Sequence, residues 1–536
     1  MKGLIFMETE AFKTSIDISA AGGGCQLRLG DIDGDGRMEL IFAKGDVVSD
    51  ERYFPHQTVC VTVFSAEGKL LWQVGDPNYR SRITSCDIPV QVYDIDKDGK
   101  NEVILIMNGE LLILDGKTSE VKNKVPLPGK YVGGSITIAD LEGTGYAQNI
   151  IIKNKFSRMW AYDVNLNILW SFQGNIGCCP AVYDINGDGR EEIIAGYNVL
   201  DSNGSLLWKA DMPAHANSVC VDCLYGDDRP VVLMAGPSIC AYTAEGELLW
   251  ELDEPASNIA VGVFRENIGT KDILILDNMS LFDSNGRFLC QKNETIYLAT
   301  PVIGFDSRDK VYIAGHKKED VSTTLYDGYM RPCYSLPFFG SITCGDLLGG
   351  GNSQIIIYND ETAEIYSSAE TDLSMAERPY PRPQQRQYYN VSVHNTLPLS
   401  QLSSGYLVED FASQNILKWA ETYTNLNLHN SYTKVTRSEY VLILATLLHL
   451  KEDISENFAD VFQDSNYYDA VGTFKKLGII DGENNLFMPD SPITVAYANS
   501  ILENLNIPLK FNFDEKYELS KQDMARLVIS LTEQNQ

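Results

Sequence analysis

The chain has 536 residues, a hydrophobic content of 44% and a formal net charge of −30 at pH 7. This length suffices for one large domain and a smaller one, and the composition argues against long disordered spans. The charge disfavours nucleic acid as a partner, because neutralising phosphates needs clustered Lys and Arg. No apolar run approaches the length of a membrane span.

The N-terminal segment and the cysteines bear on the cellular compartment. Residues 1–10 are too short and too quickly acidic for an export leader. Most of the eleven cysteines lie in apolar runs, where buried reduced thiols are expected. Cys220 and Cys223 would point to opposite faces of a strand, which argues against a shared zinc ion. We expect a cytoplasmic protein for the chain as given; the alternative is the cell surface.

An acidic loop recurs in the first half of the chain. Its first copy, Asp31-Ile-Asp-Gly-Asp-Gly-Arg-Met-Glu39, has carboxylates at positions 1, 3, 5 and 9 and a glycine at position 6. Oxygen ligands around a tight glycine turn are what Ca²⁺ prefers. The sequence therefore predicts structural Ca²⁺ sites whose ligands are Asp31, Asp33, Asp35, Glu39, Asp94, Asp96, Asp98, Glu102, Asp184, Asn186, Asp188 and Glu192.

Short β-type runs flank these loops, as Leu27-Arg-Leu29 and Leu40-Ile-Phe42 do for the first copy. The loops should therefore join strands, unlike the helix-flanked loop of an EF-hand. Copies that begin at Asp140 and Asp346 keep the glycines but lose the acidic triplet, so we expect the turn without strong metal affinity. Fainter copies begin at Asp222, Phe264 and Phe305.

A second signature is a Gly or Asn turn followed by Leu-Trp, which is typical of a hairpin. It ends at Trp72, Trp170, Trp208 and Trp250. Most repeat starts are roughly 40 to 46 residues apart, the length of one propeller blade. The sequence thus predicts an all-β propeller of about eight blades, seven being possible. The N-terminal strand Thr14-Ser-Ile-Asp-Ile18 should supply the closing piece.

In such a fold, the segments that lead into the innermost strands converge at one end, where a binding site is expected. The chain places there Tyr79, Arg80, Arg82, Asp87, Lys130, Tyr131, Cys178, Cys179, His215, Asn217, Asn258 and Tyr297. His215 is prominent because the chain has only six histidines. Each of these residues could also be an ordinary hydrogen-bonded loop residue.

The aspartate loops that lead into apolar strands, with blades that end in Leu-Trp, resemble the FG-GAP/VCBS propellers. Among these, residues 1–398 are most similar to the rhamnogalacturonan lyase type, above all from Gln91 to Thr118. The resemblance is more specific for fold than for activity, because propellers that only bind share these loops.

Lyases of this type cleave uronate-containing chains by β-elimination, which needs a cation for the carboxylate, a base and a proton donor. The resemblance implies a catalytic set in which Arg80, Arg82 and Lys130 hold the carboxylate and His215 or Tyr131 is the base. It implies a substrate-binding set of Asp87, Asn217, Asn258 and Tyr297, of which Asp87 and Asn217 would orient the base or bind a metal.

The chain departs from that pattern where functional residues are expected. Cys178 or Cys179 stands where the family would have a histidine, and Asn217 stands where it would have an aspartate. Another histidine would be expected near Asn258. The leading hypothesis is a lyase for an acidic polysaccharide or oligosaccharide. One alternative is a non-catalytic carbohydrate-binding or surface protein derived from a lyase, and another is an interaction scaffold.

After residue 398 the apolar spacing becomes helical, at 414–420, 440–448 and 470–477. The sequence therefore predicts a small all-α domain over 399–536. The run from 458 to 494 resembles an S-layer homology repeat, in which a threonine N-cap opens the second helix.

The S-layer homology motif Ile-Thr-Arg-x-Glu survives as Val435-Thr-Arg-Ser-Glu439 and is degraded near Ile493 and Leu519. The resemblance implies a cell-wall polymer as a ligand of Arg437 and Glu439. Thr436 and Glu439 also fit a capping box that only starts a helix. Self-association or another interaction through this domain is the alternative.

Overall fold

The computed structural model describes two units, each compact by itself. In the N-terminal unit it describes residues 11–50, 53–81, 87–212, 215–227, 229–265, 270–292, 296–303, 305–306, 311–317, 322–347 and 353–368, with backbone alone at 296–300, 303 and 317. In the C-terminal unit it describes 434–454, 456–463, 465–482, 484–509, 511, 515–516, 518–519, 524, 527–528 and 531. The predicted domain boundary at 398 and the predicted helix at 414–420 lie outside these residues.

The described residues of the N-terminal unit form six four-stranded sheets and one eight-stranded sheet, whose two antiparallel halves of four strands we number separately as sheets 1 and 2. Sheets 1 and 2 consist of β2 (Cys25–Gly30), β3 (Glu39–Gly45), β4 (Thr58–Phe64) and β5 (Leu70–Gly75), then β6 (Val90–Tyr93), β7 (Glu102–Met107), β8 (Glu110–Asp115) and β9 (Val121–Pro126). Sheets 3 and 4 consist of β10 (Ile136–Ala139), β11 (Asn149–Lys153), β12 (Arg158–Tyr162) and β13 (Ile168–Gln173), then β14 (Ala181–Tyr183), β15 (Glu192–Ala195), β16 (Asn198–Leu200) and β17 (Leu206–Lys209).

The remaining sheets follow the same order. Sheets 5 and 6 consist of β18 (Ser218–Asp222), β19 (Val231–Ala235), β20 (Ile239–Tyr242) and β21 (Leu248–Leu252), then β22 (Ile259–Gly262), β23 (Asp272–Ile275), β24 (Ser280–Phe282) and β25 (Phe288–Gln291). Sheets 7 and 8 consist of β26 (Ile296–Ile303), β27 (Val311–Lys317), β28 (Thr323–Tyr326) and β29 (Pro332–Leu336), then β30 (Ser341–Gly345), β31 (Gln354–Tyr358) and β32 (Thr362–Ser367), with β1 (Phe12–Asp17).

The N-terminal strand β1 completes sheet 8. It pairs antiparallel with β32, with Phe12 opposite Ser367 and Asp17 opposite Thr362. The N-terminal strand, predicted as the closing piece, thus pairs with a strand from the far end of the same unit. Sheets 1 and 2 are additionally joined by one parallel bridge between Thr58 and Met107.

Strand character follows position within a sheet. Second strands such as β3 and β7 are buried throughout, and their sequences are nearly unbroken apolar runs. Fourth strands such as β5 and β13 are exposed or half-buried throughout, the more exposed residues alternating with less exposed ones. A strand covered on both faces must be apolar throughout, whereas an outer strand need not be.

The repeated motifs occupy equivalent places. The acidic loops join the first and second strands of their sheets, and the Leu-Trp motifs lie at the start of the fourth strands. The indole nitrogen of each Trp donates to a backbone carbonyl in the next sheet along the chain. These acceptors are Gly116 for Trp72 (2.8 Å), Ser202 for Trp170 (2.9 Å), Ala244 for Trp208 (2.8 Å) and Ser284 for Trp250 (3.2 Å).

Apolar clusters link each sheet to the next. One cluster joins sheets 1 and 2, others join 2 to 3, 3 to 4 and 4 to 5, and a large one contains residues of sheets 5, 6, 7, 8 and 1. Sheets 8 and 1 also meet through polar contacts, since Met38 N donates to Leu347 O (2.8 Å) and Leu27 N donates to the Tyr358 hydroxyl (3.0 Å). The last sheet is therefore in contact with the first.

The C-terminal unit contains the helices α1 (Arg437–Leu447), α2 (Tyr468–Lys476) and α3 (Val495–Asn504). Tyr440, Leu444 and Phe474 are among the residues of its apolar core. Two of the predicted helices are confirmed as α1 and α2, and the predicted threonine N-cap is Thr494 of α3. Among the described residues, no helix combines the length and apolar character needed to cross a membrane.

Candidate functional site

Each sheet has two ends with different chemistry. We call the end with the first-to-second and third-to-fourth connections the loop end. The opposite end, with the second-to-third connections and the segments that lead into each first strand, is the lead-in end. The predicted metal ligands lie at the loop end, and the predicted catalytic and substrate-binding residues lie at or near the lead-in end. The predicted metal ligands and the predicted catalytic and substrate-binding residues therefore form two separate candidate sites.

The acidic loop of sheet 1, called loop 1, is organised by its first carboxylate. Asp31 accepts from the backbone nitrogens of Gly34 (2.9 Å) and Gly36 (2.8 Å), both of which have positive φ. Glu39 opens β3 and accepts from Ile32 N (2.9 Å). Oxygens of Asp31, Asp33 and Glu39 lie within 4.8 Å of one another. Three predicted ligands are thus brought together.

The electrostatics of loop 1 favour a bound cation. Glu39 is buried, and this burial, followed by the charges of Asp33, Asp31 and Asp35, raises its pKa to about 8. A cation among these oxygens would relieve the repulsion and hold Glu39 ionised. Asp35, the fourth predicted ligand, instead accepts from Arg37 Nε at 2.9 Å.

The corresponding loop of sheet 2, loop 2, has the same turn and a different counter-ion. Asp94 accepts from Gly99 N (2.9 Å), and Glu102 accepts from Ile95 N (3.0 Å). Oxygens of Asp94, Asp96 and Glu102 again lie within 4.8 Å of one another. Burial, together with the nearby charge of Asp96, raises the pKa of Glu102 to about 7. Here Lys122 reaches into the cluster.

The loop of sheet 4, loop 4, keeps the backbone geometry with a changed ligand set. Asp184 accepts from Gly187 N (2.7 Å) and Gly189 N (2.9 Å). The Asn186 amide donates to Glu192 at 3.0 Å. Burial, followed by Asp188 and Asp184, raises the pKa of Glu192 to about 7. Within the described part of the chain, three converging carboxylates occur in loops 1 and 2.

Two later loops contain cations of the chain itself. Lys271 donates to both carboxylate oxygens of Asp222 at 2.8 Å, and both side chains are largely buried. Arg265 makes a two-point contact with Asp272, at 3.0 and 2.7 Å. In these two fainter copies of the loop, cations of the chain itself therefore lie against the acidic residues.

At the lead-in end, three side chains assemble around the Phe156 ring; together with Phe156 we call them the Phe156 cluster. The His215 ring centre lies 4.7 Å from that of Phe156. The ammonium groups of Lys153 and Lys155 lie 6.0 and 5.7 Å from the same ring. An aromatic face stabilises nearby cations, so the cluster combines an imidazole with two positive charges.

Lys153 is fixed by neighbouring carbonyls. It ends β11 of sheet 3, and its buried ammonium donates to Gly177 O at 2.8 Å and to Cys178 O, both before sheet 4. Burial lowers its pKa, and the charge of Lys155 acts in the same direction. Cys178 N in turn donates to Ala216 O (3.1 Å), next to His215. The lead-in segments of sheets 4 and 5 are thereby joined.

The His215 side chain is exposed, and its imidazole ring packs against the ring of Phe156. Its partial burial, followed by the charges of Lys153 and Lys155, lowers its pKa below the ordinary histidine value. This lowering favours the neutral imidazole, the form that a general base needs.

Lys130 and Tyr131 belong to the segment that leads into sheet 3. Tyr131 is 52% exposed, its ring centre lies 5.2 Å from that of Phe54, and the Lys130 ammonium lies 5.2 Å above it. Gly133 N donates to Lys153 O (3.0 Å), which places this segment beside the Phe156 cluster. Of the predicted carboxylate ligands, Arg80 is exposed, and Arg82 lies outside the described residues.

Two of the four predicted substrate-binding residues, Asp87 and Asn217, have structural partners. Asp87 and Arg28 form a buried ion pair, with Oδ1 and Nη2 2.7 Å apart. The Asn217 amide donates to Ala256 O (3.2 Å), and Asn258 is 6% exposed. Tyr297 lies on β26, where only the backbone is described. These contacts hold neighbouring segments together, and the substrate-binding roles stay predictions.

Sequence reasoning missed Lys153, Lys155 and Phe156. They lie in the turn between the second and third strands of sheet 3, outside the lead-in segments in which the sequence predicts the site. One signal was available: β11 is apolar from Ile150 to Ile152 and then ends on a lysine. A charged residue that closes a buried strand needs a partner, here the carbonyls before sheet 4.

Comparison with known proteins supports the fold. The chain is 22% identical to the rhamnogalacturonan exolyase YesX of Bacillus subtilis (strain 168) over 243 residues, which are 34% of this chain and 40% of that relative. The matched region thus spans less than half of the relative. No protein-family model matches the chain.

Solved structures extend the likeness over most of the chain. The exotype rhamnogalacturonan lyase YesX has a TM-score of 0.53 at 17% identity, covering 78% of this chain and 79% of that one. The Bacillus licheniformis rhamnogalacturonan lyase PL11 has a TM-score of 0.50 at 15% identity, covering 74% of this chain and 79% of that one. The chain therefore has a rhamnogalacturonan lyase-like fold made mostly of β-strands.

Proposed function

We propose that the N-terminal unit is an eight-bladed β-propeller that binds a uronate-containing glycan of the rhamnogalacturonan or pectin type at its lead-in end and cleaves it by β-elimination. The observation that carries the proposal is the Phe156 cluster. It places a neutral imidazole beside two ammonium groups in a chain whose net charge is −30. A polyanionic substrate needs such a local positive field.

The Phe156 cluster and the adjacent segment with Lys130 and Tyr131 provide the positive charge, the base and the proton donor that β-elimination needs. Lys155, with Lys130 from the adjacent segment, offsets the uronate carboxylate and so makes the proton on the neighbouring ring carbon more acidic. His215 removes that proton as the base. Tyr131, exposed beside Lys130, is the proton donor to the leaving oxygen. Lys153 is committed to two carbonyls and positions the turn that carries Lys155 and Phe156.

We assign Ca²⁺ to the acidic loops as a structural ion. The donors of loop 1 fit a hard cation, because three carboxylates converge there and Glu39 is buried. When bound, calcium supplies positive charge that holds the loop in its turn. The loops lie at the opposite end of the sheets from His215, so this calcium takes no part in the proposed proton transfers.

The experiment is a lyase assay with rhamnogalacturonan and polygalacturonate, with and without EDTA. Formation of the unsaturated uronate product is followed by its ultraviolet absorbance. The wild type should form product, and His215→Asn should lose it. The matched control His449→Asn changes an exposed histidine of the C-terminal unit and should keep full activity. Product formation that survives His215→Asn would refute the assignment of the base.

A non-catalytic glycan-binding protein is the second candidate. The favouring observation is that Asp87 is held by Arg28 and Asn217 by Ala256 O, so both serve the fold. Glycan binding measured by calorimetry without any unsaturated product would support this candidate.

For the C-terminal unit we propose a binding role for a cell-wall polymer or for a second copy of the chain. Arg437 opens α1, donates to Phe487 O (3.1 Å) and lies 4.5 Å from the Tyr497 ring. Thr436 and Glu439 form a complete capping box, so these two residues also serve the helix. Retention of the wild type on purified cell walls, lost in Arg437→Met, would support the polymer; a dimer in light scattering would support self-association.

A further inference from the structure

Lys122 places an ammonium group inside loop 2. Its Nζ lies 2.6 Å from Asp96 Oδ2, 3.1 Å from Asp98 Oδ2 and 2.8 Å from Glu102 Oε1. Asp96 and Glu102 are two of the three residues whose oxygens converge in this loop. A single cation of the chain thus contacts the oxygens that would otherwise surround a metal.

The strand register explains how Lys122 reaches the loop. In sheet 2, Ile113 pairs with Asn123 and Leu114 pairs with Val121, so the register skips Lys122 at a bulge. A bulge redirects the side chain of the extra residue. The same irregularity recurs in the fourth strands of other sheets, which allows a position-by-position comparison.

At the skipped position, five other sheets have leucine. In sheet 1 the register passes from Val63–Trp72 to Phe64–Leu70 and skips Leu71. The equivalent residues are Leu169, Leu207, Leu249 and Leu289 in sheets 3 to 6. A lysine at this position is therefore particular to sheet 2 among these six sheets, and it stands over an intact acidic loop.

Loop 1 has different contacts among the described residues. Leu71 occupies the skipped position, and Arg37 is paired with Asp35 and Glu67. Lys117 lies 4.0 Å from Asp33 and is 65% exposed, so solvent screens its charge strongly. The two loops thus have similar carboxylate sets and different internal counter-ions.

Other sheets also pair their loops with cations of the chain. Lys271 neutralises Asp222, and Arg265 neutralises Asp272, the residue that opens β23 as Glu39 opens β3. Loop 2 differs from these loops, because it keeps the converging carboxylates of Asp94, Asp96 and Glu102 together with the Lys122 ammonium.

We propose that Lys122 is a built-in counter-ion of loop 2 that a divalent cation must displace, so that Lys122 lowers the affinity of loop 2 for Ca²⁺. Lys122 is then an affinity-determining residue of a metal site, and its role is independent of the glycan activity. In the metal-free protein, the ammonium holds loop 2 in its turn. When calcium enters, the flexible Lys122 side chain moves to solvent.

The test is a calcium titration of the full chain by calorimetry. Lys122→Leu, which installs the residue of the other sheets, should tighten calcium binding at loop 2 by about tenfold or more, because a unit charge in contact with the ligands is removed. Adding Asp94→Asn should abolish the tightened site and so assign it to loop 2. The matched control Lys124→Leu, on the same strand and paired with Glu110, should leave the isotherm unchanged.

The reciprocal substitution in sheet 1 provides a second test if Lys122→Leu does not fold. Leu71→Lys adds an ammonium beside loop 1 and should weaken calcium binding there by a similar factor. Without calcium, Lys122→Leu should melt below the wild type, and saturating calcium should restore it. An isotherm of Lys122→Leu identical to that of the wild type, or a Leu71→Lys isotherm without weakening, would overturn the proposal.

Discussion

The indole nitrogen of Trp170 donates to the carbonyl of Ser202 in the next sheet, 2.9 Å away. The contact brings the indole ring against the turn that contains Gly204. A Cβ on Gly204 would lie 2.5 Å from the Trp170 ring. Equivalent contacts join Trp208 to Gly246 and Trp250 to Gly286, so the junction between neighbouring sheets is built the same way three times.

Gly204→Ala should therefore destabilise the protein more than a glycine change at a similar turn without a neighbour. Gly204 has φ +81° and meets the Trp170 ring, whereas Gly109 has φ +78° and no atom within 4 Å of an added Cβ. Gly109→Ala measures backbone strain alone. We expect Gly204→Ala to cost about 1 to 3 kcal/mol beyond that, from the ring contact. Thermal denaturation of both variants checks this; equal melting temperatures would contradict it.

The metal-free protein should lose stability as pH rises. Burial raises the pKa of Glu39 from 4.5 to about 8, so the folded state holds a proton that the unfolded state has released. The stabilising contribution is full below about pH 4.5 and is lost as pH rises through about 8. In EDTA, Glu39→Gln should reduce this fall by an amount on the order of a few kcal/mol.

Melting temperatures across pH, with and without EDTA, measure this effect. Calcium should remove the loss in the wild type, because it compensates the ionised Glu39, and Glu39→Gln should respond less to calcium. The exposed Glu142→Gln serves as the control and should follow the wild type throughout. A Glu39→Gln variant that melts like the wild type at every pH in EDTA would be the contrary result.

The pKa of His215 should rise when Lys155 loses its charge. Burial and the charges of Lys153 and Lys155 lower the pKa of this imidazole, so removing one positive neighbour moves it back towards the ordinary value. Lys155→Met should therefore shift the acidic limb of any pH–rate profile to higher pH. NMR titration of the His215 ring, assigned with His215→Asn, checks the shift even without activity. Lys100→Met, at the loop end, should leave the resonance unchanged.

Arg28→Met should destabilise the protein more than Asp87→Asn. Both changes break the buried ion pair, and removing one partner of such a pair costs roughly 3 to 5 kcal/mol. Arg28 also donates to the carbonyls of Ile88 (2.9 Å) and Val90 (3.1 Å), and these two hydrogen bonds are lost only when Arg28 is replaced. Thermal denaturation of the two variants gives the order, and the double variant should be more stable than the sum of the single losses implies.

Much of the fold was predictable because its signals are local. The acidic loops and the Leu-Trp turns each specify a connection within a few residues, and their spacing indicated eight similar units. The pairing of the N-terminal strand with β32 followed from counting those units. The contacts of Asp35 and Asn186 were harder to predict. The sequence predicts both as metal ligands, whereas Asp35 accepts from Arg37 and the Asn186 amide donates to Glu192.

The candidate site was less predictable because it depends on contacts between sheets. Lys153 approaches Gly177 and Cys178 only once sheets 3 and 4 pack together, and Phe156 meets His215 across a further sheet. Lys122 reaches loop 2 only because a bulge turns it, and bulges carry no strong sequence signal. His215 was predicted for its place before a strand, and its lysine neighbours came from a turn that sequence order separates from it.

The pairing of β1 with β32 has a consequence for biosynthesis. Lys13 and Glu364, an ion pair across these strands, are 351 positions apart in the chain. Lys13 is synthesised long before Glu364. The backbone hydrogen-bonding groups of β1 therefore lack their β32 partners while sheets 1 to 7 are synthesised. Folding of this unit should therefore be completed at sheet 8. A nascent chain halted before residue 362 would lack β32, the strand with which β1 pairs.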